Sequence, residues 1–485
     1  MRLSKLAFLA ALCGGAVISS GTSASTSWGQ MPGQRSVGSG ISQSGVSQVS
    51  HCDCGLSDCG CDAAMPALGC DGGCEGNCDG GCGLRDCGGN DWIDAGCGDL
   101  AACDTGCGGG LFDNGFLSDS ELGDPYNLLG ECCGFTMGGW VQLGYHNKNL
   151  SLFNSRRDEL QLQQAWVYAE KELDTSNGFG VGGRVDYLYG TDGPDTQAFG
   201  IPNNHWDNQW DNGPDYGHAI PQAYLEAGYG DLSVKVGHFY TIIGYEVVAA
   251  TGNFFYSHAY TMYNSEPFTH SGALFTYDMT EDMAFYGGYV LGWDSGFEDN
   301  GDAYIGGSSV QLTDDINVTS TFTVGRLNDK GGADERGYMS STVASMQMTE
   351  KLSYIFQADL LDTENAAGET VRETFGINQY LIRSINDRIQ IGSRFEWWNV
   401  QADSQGYYGP AAPAGLGAIA PGDFDIFALT LGMNVKPHSN VTIRPEIRWD
   451  WVDGGTDRLA VADMDILEND AERQTTFGVD TIFTY

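Results

Sequence analysis

From Phe135 to Tyr485 the dominant pattern is alternation of apolar and polar side chains with a period of two, in stretches of about 10 to 13 residues. Val441 to Trp451 shows it most clearly: Val441, Ile443, Pro445, Ile447, Trp449 and Trp451 share one face, and Thr442, Arg444, Glu446, Arg448 and Asp450 share the other. One such strand fits either a soluble sandwich or a membrane barrel. The whole set separates them, because sixteen segments of this kind are legible, near 135–146, 159–171, 177–190, 217–229, 231–240, 268–278, 282–294, 302–312, 315–327, 336–349, 351–362, 370–383, 387–399, 424–436, 439–452 and 473–485.

Connection lengths alternate. After even-numbered segments they are tight, as in Asp278–Asp282, Thr313–Asp315 and Arg383–Arg388. After odd-numbered segments they are mostly longer, with about 26 residues after the third, 27 after the fifth, 24 after the thirteenth and 20 after the fifteenth. One short-turn rim and one long-loop rim belong to an up-and-down antiparallel barrel crossing a membrane, whose tilted strands need roughly 9 to 11 residues. The expected fold is therefore all-β, a transmembrane barrel of about sixteen strands. Phe427, Leu429, Leu431, Met433 and Val435, and likewise Ile389, Ile391, Phe395 and Trp397, supply lipid-facing rows. Arg184 with Asp186, and Arg394 with Glu396, fall on the opposite parity and point to a wet interior. Trp140, Tyr145, Tyr187, Tyr189, Trp293, Trp449 and Trp451 lie near strand ends and are expected in interfacial girdles. Phe477, Val479, Thr481, Phe483 and Tyr485 alternate up to the last residue, an aromatic strand of the kind that pairs with the first to close a barrel.

The cysteines divide the chain. All 15 lie between Cys13 and Cys133, and none occurs from Gly134 to Tyr485. Residues 1–24 read as a secretory signal, with Arg2 and Lys5, an apolar run from Leu6 to Ile18 and a small-residue site at Thr22-Ser23-Ala24. Residues 25–51 are a Ser/Gly/Gln-rich flexible linker, 52–133 a Cys/Gly/Asp-rich low-complexity segment, and 134–485 the barrel. In an oxidising compartment the tract favours disulfides, with Cys70, Cys74, Cys78, Cys82, Cys132 and Cys133 among the candidates. Three uses stay open: a disulfide-pinned spacer, cross-links to neighbouring envelope proteins, and metal binding. The absence of any C-x2-C pair removes the usual zinc-ribbon and thioredoxin-like spacings.

A net charge of −41 leaves no basic stripe to neutralise phosphates, so nucleic acid is excluded as a partner. No G-x-S-x-G, H-E-x-x-H or P-loop motif occurs, so no catalytic residue or cofactor is expected, nor a resident metal in the barrel, and the chain does not read as an enzyme. The acidity gathers in connections, at Asp207, Asp211, Asp215, Glu298, Asp299 and Asp302. Negative charge at an outer mouth raises local cation concentration and implies a mild cation preference.

Gly139-Trp140-Val141-Gln142, Arg184-Val185-Asp186-Tyr187-Leu188-Tyr189-Gly190, Val236-Gly237-His238-Phe239-Tyr240, Gly244-Tyr245-Glu246-Val247-Val248 and Arg444-Pro445-Glu446-Ile447-Arg448-Trp449-Asp450 resemble the OmpL-like beta-barrel porin family of Gram-negative outer membranes, over residues 134–485. The resemblance implies an outer-membrane pore for passive diffusion of small hydrophilic solutes or ions, embedded in outer-membrane lipid. Homotrimers are common among the general porins it resembles. The Cys-rich segment lies outside the resemblance. It motivates the alternative of a plugged barrel with a structural or adhesive role, cross-linked through its cysteines.

The connection from Thr241 to Pro267 is long and unusually apolar, with Ile242, Ile243, Val247, Val248, Phe254, Phe255 and Tyr256, so it must pack against something. Two placements follow. The loop enters the lumen and narrows it, as in the porins the chain resembles, or it covers the outer rim or a neighbouring subunit. In the lumen, Glu246, His258 and Glu266 would stand at the constriction. Arg184, Asp186, Arg394, Glu396, Arg444, Glu446, Arg448 and Asp450 would line the pore, setting up a field across it or satisfying one another across adjacent strands.

Overall fold

A computed structural model describes residues 122–132, 134–150, 152–329, 334–401, 424–453 and 472–485. After the two-residue β1 (Glu131–Cys132) come β2 (Phe135–His146), β3 (Gln161–Lys171) and β4 (Phe179–Gly190). The next connection carries the short α1 (Gly193–Thr196) and β5 (Asp211–Asn212). β6 (Tyr216–Ala219), β7 (Ala223–Tyr229) and β8 (Leu232–Tyr240) lead into the long loop, which holds a 3-10 turn (Ala250–Gly252) and α2 (Tyr260–Asn264). The wall continues through β9 (Thr269–Thr280), β10 (Met283–Val290), β11 (Asp302–Thr313), β12 (Ile316–Asn328), β13 (Glu335–Thr349) and β14 (Leu352–Glu364). It ends with β15 (Thr370–Ser384), β16 (Ile389–Val400), β17 (Phe424–His438), β18 (Val441–Asp453) and β19 (Arg473–Thr484).

Successive strands pair antiparallel, and β19 returns to β2 with Phe483 opposite Val141 and Gly478 opposite His146, closing the sheet. β6 and β7 both pair with β4 and together form one stave, so the closed barrel has sixteen staves. The expected single segment at 217–229 is interrupted because Pro221 has no N–H to give the ladder. The expected segment 282–294 stops at Val290, where Gly292 and Asp294 take positive φ values of 87° and 49° and turn the chain. In the two-residue turn between β7 and β8, Gly230 has φ 57°, which a side chain would resist.

Parity sets the two faces. Phe275, Phe285, Tyr304, Phe322, Leu431 and Phe477 are exposed outward, as a lipid face requires, while Gln142, Gln164, Gln357, Asn378, Arg394 and Asp480 are buried inward. Trp397, Phe427 and Trp451 stack outward across three strands near the long-loop rim, with ring centroids 6.4 and 5.7 Å apart. Trp140 and Trp293 do not join the girdles. Trp140 has the inward parity of Gln142 and stacks on Trp166 at 4.6 Å, and Trp293, beyond the end of β10, is buried under the Arg372 guanidinium at 4.7 Å.

At the other end, the short-turn rim, the backbone N–H of Tyr126 donates to Asn440 Oδ1 at 2.6 Å, and Asn440 Nδ2 donates back to the Tyr126 carbonyl at 2.8 Å. Cys132 is the last residue of β1. The signal and linker segments, the tract as far as residue 121, and Cys70, Cys74, Cys78, Cys82 and Cys133 lie outside the described residues.

Candidate functional site: a loop pinned across the lumen

The loop between β8 and β9 crosses the barrel to the far wall. A loop there has lost water but still carries unpaired backbone N–H and C=O groups, and each one left orphaned costs free energy. The wall supplies what is missing. Its carboxylates take loop N–H groups: Glu446 accepts from Tyr256 and Ser257 at 2.9 and 3.2 Å, and Glu396 accepts from Tyr260 at 2.8 Å. Its guanidiniums take loop carbonyls. Arg444 donates to Ala250 and Asn253 at 2.9 and 2.7 Å, Arg394 to Ser257 at 2.6 Å, and Arg448 to His258 at 2.7 Å. The Arg-x-Glu and Arg-x-Asp spacings make sense on these terms, since residues two apart on a strand face the same side and hold one another while serving the loop. Arg394 Nε meets Glu396 at 2.7 Å, and Arg448 Nε meets Asp450 at 2.7 Å.

Glu246, from the start of the loop, reaches Arg394 Nη1 at 2.7 Å, accepts the Ala259 N–H at 2.7 Å and lies 3.4 Å from His258 Nδ1. Burial alone would raise its pKa, but Arg394, His258 and the Ala259 N–H outweigh it and hold the carboxyl at about 2, against an ordinary 4.5. A depressed carboxylate pKa stabilises the folded state above the unfolded value, and that stabilisation is lost as pH falls through the folded value. The stability difference between wild type and Glu246→Gln is therefore expected to be constant from neutral pH to about 4.5 and to shrink towards pH 2. Urea unfolding of both proteins across that range checks it, and a difference independent of pH would contradict it.

The apolar part of the loop has its own seat. Phe254, Phe255 and Tyr256 lie against Gly392, Gly432 and Gly478, inward glycines of β16, β17 and β19, and Tyr256 also abuts Gly144 of β2. A β-carbon on Gly432 would stand 3.0 Å from the Phe255 ring. Gly432→Val is expected to displace that ring and cost about 1–3 kcal/mol, read as a lower urea midpoint; an unchanged midpoint would mean that the ring is not seated there. Further anchors are Gln164, which donates to the Val248 carbonyl at 2.8 Å, Asn378 to Thr261 at 2.6 Å, Trp398 to Ser265 at 3.0 Å and Tyr260 to Asp450 at 2.9 Å.

Six of the eight wall residues named from the sequence, Arg394, Glu396, Arg444, Glu446, Arg448 and Asp450, thus meet beneath the loop together with Glu246 and His258. Arg394 is 0% exposed. Arg184 and Asp186 sit apart on β4, joined at 2.6 Å, with Arg184 also 2.8 Å from Glu170 and packed over the Tyr168 ring. Glu266 ends the loop against β14, where Gln357 donates to it at 2.7 Å. Arg444 pairs with Asp480 of β19, at 2.5 Å, rather than with a charged neighbour on its own strand. Asp480 went unnamed, yet its parity between outward Val479 and Thr481 marks it as inward.

The interior is not uniformly wet. Ile243, Leu274, Ile305, Met339 and Leu361 form an apolar cluster on the β7–β14 side of the wall. Inward side chains nearer the short turns, such as Lys235, Asp278, Gln311, Asn317 and Gln347, are only half-buried. The lumen is therefore a vestibule on the short-turn side, narrowed above by the loop and the apolar cluster.

The model of the OmpL-like beta-barrel porin-2 family matches residues 134–485, and the chain belongs to that family. It is an outer-membrane β-barrel. Solved structures of similar fold include an anion-selective porin from Comamonas acidovorans, 12% identical with TM-score 0.49, over 72% of this chain and 99% of that one. Another is OmpT of Vibrio cholerae in trimer form, 13% identical with TM-score 0.46, over 73% and 100%. A third is OmpF of Salmonella typhi in complex with daunomycin, 12% identical with TM-score 0.47, over 72% and 97%. No curated protein sequence matches the chain.

Proposed function

We propose that the barrel is a restrictive diffusion porin, passing small hydrophilic solutes and ions without any reaction, and that the crossing loop sets its bore. The observation that carries this reading is the loop's anchorage on the wall opposite its origin, through groups chosen to satisfy its backbone. Arg184 and Asp186 on β4, and the charges of the loop seat, are buried and act on a passing solute through their field rather than by contact. With a formal net charge of −41, the channel prefers cations mildly at low salt. Raising ionic strength shortens the Debye length from about 10 Å at 0.1 M to about 3 Å at 1 M, and the preference weakens with it. Reversal potentials across a KCl gradient test this, and anion preference at low salt would contradict it. A homotrimer embedded in outer-membrane lipid goes with this reading, and cross-links from the Cys-rich segment to envelope neighbours go with the alternative below.

A second reading is a barrel closed at rest, with a structural or adhesive role. It is favoured by the deep burial of inward side chains from mid-barrel to the long-loop rim, including Arg394, Thr323 and Met339. Conductance separates the two.

A further inference from the structure

Most carboxylates buried inside the barrel have a guanidinium or backbone N–H partner: Glu246 and Glu396 on Arg394, Glu335 on Arg372, Asp450 on Arg448, Asp480 on Arg444, and Glu446 on loop N–H groups. Glu266, at the end of the crossing loop, and Asp359, inward on β14, have neither. Gln357 Nε2 donates to Glu266 Oε1 at 2.7 Å and to Asp359 Oδ2 at 2.6 Å, and Glu266 and the hydroxyls of Ser341 and Thr261 stand beside Asp359. Burial and the neighbouring Asp359 push the Glu266 carboxyl well above the usual carboxylate range. Held this close and buried, the two carboxyls cannot both ionise without a counter-charge.

Beyond the Gln357 amide, the neighbouring side chains offer oxygens. Ser341 lies directly across the β13–β14 ladder from Asp359, and Asn378 directly across the β14–β15 ladder from Gln357, all on the inward face. Asp359 Oδ1, Ser341 Oγ and Asn378 Oδ1 are buried without a hydrogen bond, each on a residue only 1% exposed. Thr261 of α2 closes the group. Its Oγ1 accepts from Asn378 Nδ2 at 2.6 Å, and its methyl rests on Gly376, the residue opposite Asp359. Among the described residues no three His, Cys, Asp or Glu side chains converge, so the charge of any ligand shell must come from this pair and the remaining ligands from neutral oxygens.

We propose that Glu266 and Asp359, with Asn378 Oδ1, Ser341 Oγ and Thr261 Oγ1, form a binding site for a divalent hard cation, calcium in preference to magnesium. The two carboxylates balance the charge. An irregular, water-poor shell of protein oxygens suits calcium, whereas magnesium demands octahedral geometry and keeps its waters. Nitrogen and sulfur ligands of the kind zinc selects are missing from the set. The ion ties the end of the loop to β14, far along the loop from the Arg394 anchor, and so clamps it at a second point. This deepens the diffusion reading by adding a control on the loop, but the binding itself depends only on the loop's position.

The test uses the full-length protein, folded in detergent, stripped with EDTA and titrated with CaCl2 by calorimetry. Asp359→Asn and Glu266→Gln are run alongside, with folding checked by circular dichroism and heat-modifiable gel migration. Wild type is expected to show one saturable component that both variants lack and that MgCl2 displaces poorly. Asn378→Ala is expected to weaken it by about tenfold. If the carboxylate variants fail to fold, Asn378→Ala and Ser341→Ala carry the comparison. Titrations that are superimposable for wild type and the variants, or a wild type with no such component, would overturn the proposal and leave the pair sharing a proton. A silent barrel that still binds calcium here would sink the diffusion reading and leave this site standing.

Discussion

Arg394→Met is expected to cost about 3–5 kcal/mol of stability and to raise single-channel conductance, because it takes the guanidinium from Glu246, leaves Glu396 only Arg448 at 3.4 Å, and releases the loop carbonyls. The size of the effect follows from the number of partners. One guanidinium holds Glu246, Glu396, the Ser257 carbonyl and hydroxyl and the His258 carbonyl, with Thr430 at 3.4 Å. Methionine keeps the apolar contact with the Phe255 ring that the guanidinium now makes at 5.1 Å. The loss therefore reports charge and hydrogen bonding rather than packing. A urea midpoint and a conductance both equal to wild type would show that the loop does not depend on this anchor.

Replacing residues 247–262 with a short Gly-Ser linker is expected to have the larger functional effect. A sixteen-stranded wall by itself encloses an aqueous channel, and this segment carries the rings that fill the glycine seats and the backbone that covers Arg444, Arg394 and Arg448. Conductance should rise several-fold, while the strand signal in circular dichroism persists because the β-ladder itself is untouched. The same conductance after excision would mean that the apolar cluster around Ile305 and Met339, not the loop, limits the lumen.

The barrel was legible in the sequence because a period of two is the direct imprint of a two-faced strand, and because loop lengths sort by rim. Where the reading slipped, local chemistry overrode periodicity: Pro221 split one stave, and the turn at Gly292 and Asp294 shortened another. Trp140 is no girdle residue because it stands mid-strand, sixth of the twelve residues of β2, with inward parity. The loop's need for a packing partner was legible from its apolar composition. Its seat was not, since inward glycines such as Gly392, Gly432 and Gly478 carry no hydrophobic signal and reveal their purpose only when the strands are side by side. Asp359, Asn378 and Ser341 escaped for the same reason: they come from three strands, and only the register brings them together.

The most direct test is a recording of single-channel currents from the full-length protein in a planar bilayer across a KCl gradient. Stepwise ohmic conductance, small for a sixteen-stranded barrel and with a cation-favouring reversal potential at low salt, is the expected result. A folded, inserted barrel that stays silent would contradict the diffusion account and establish the crossing loop as a plug.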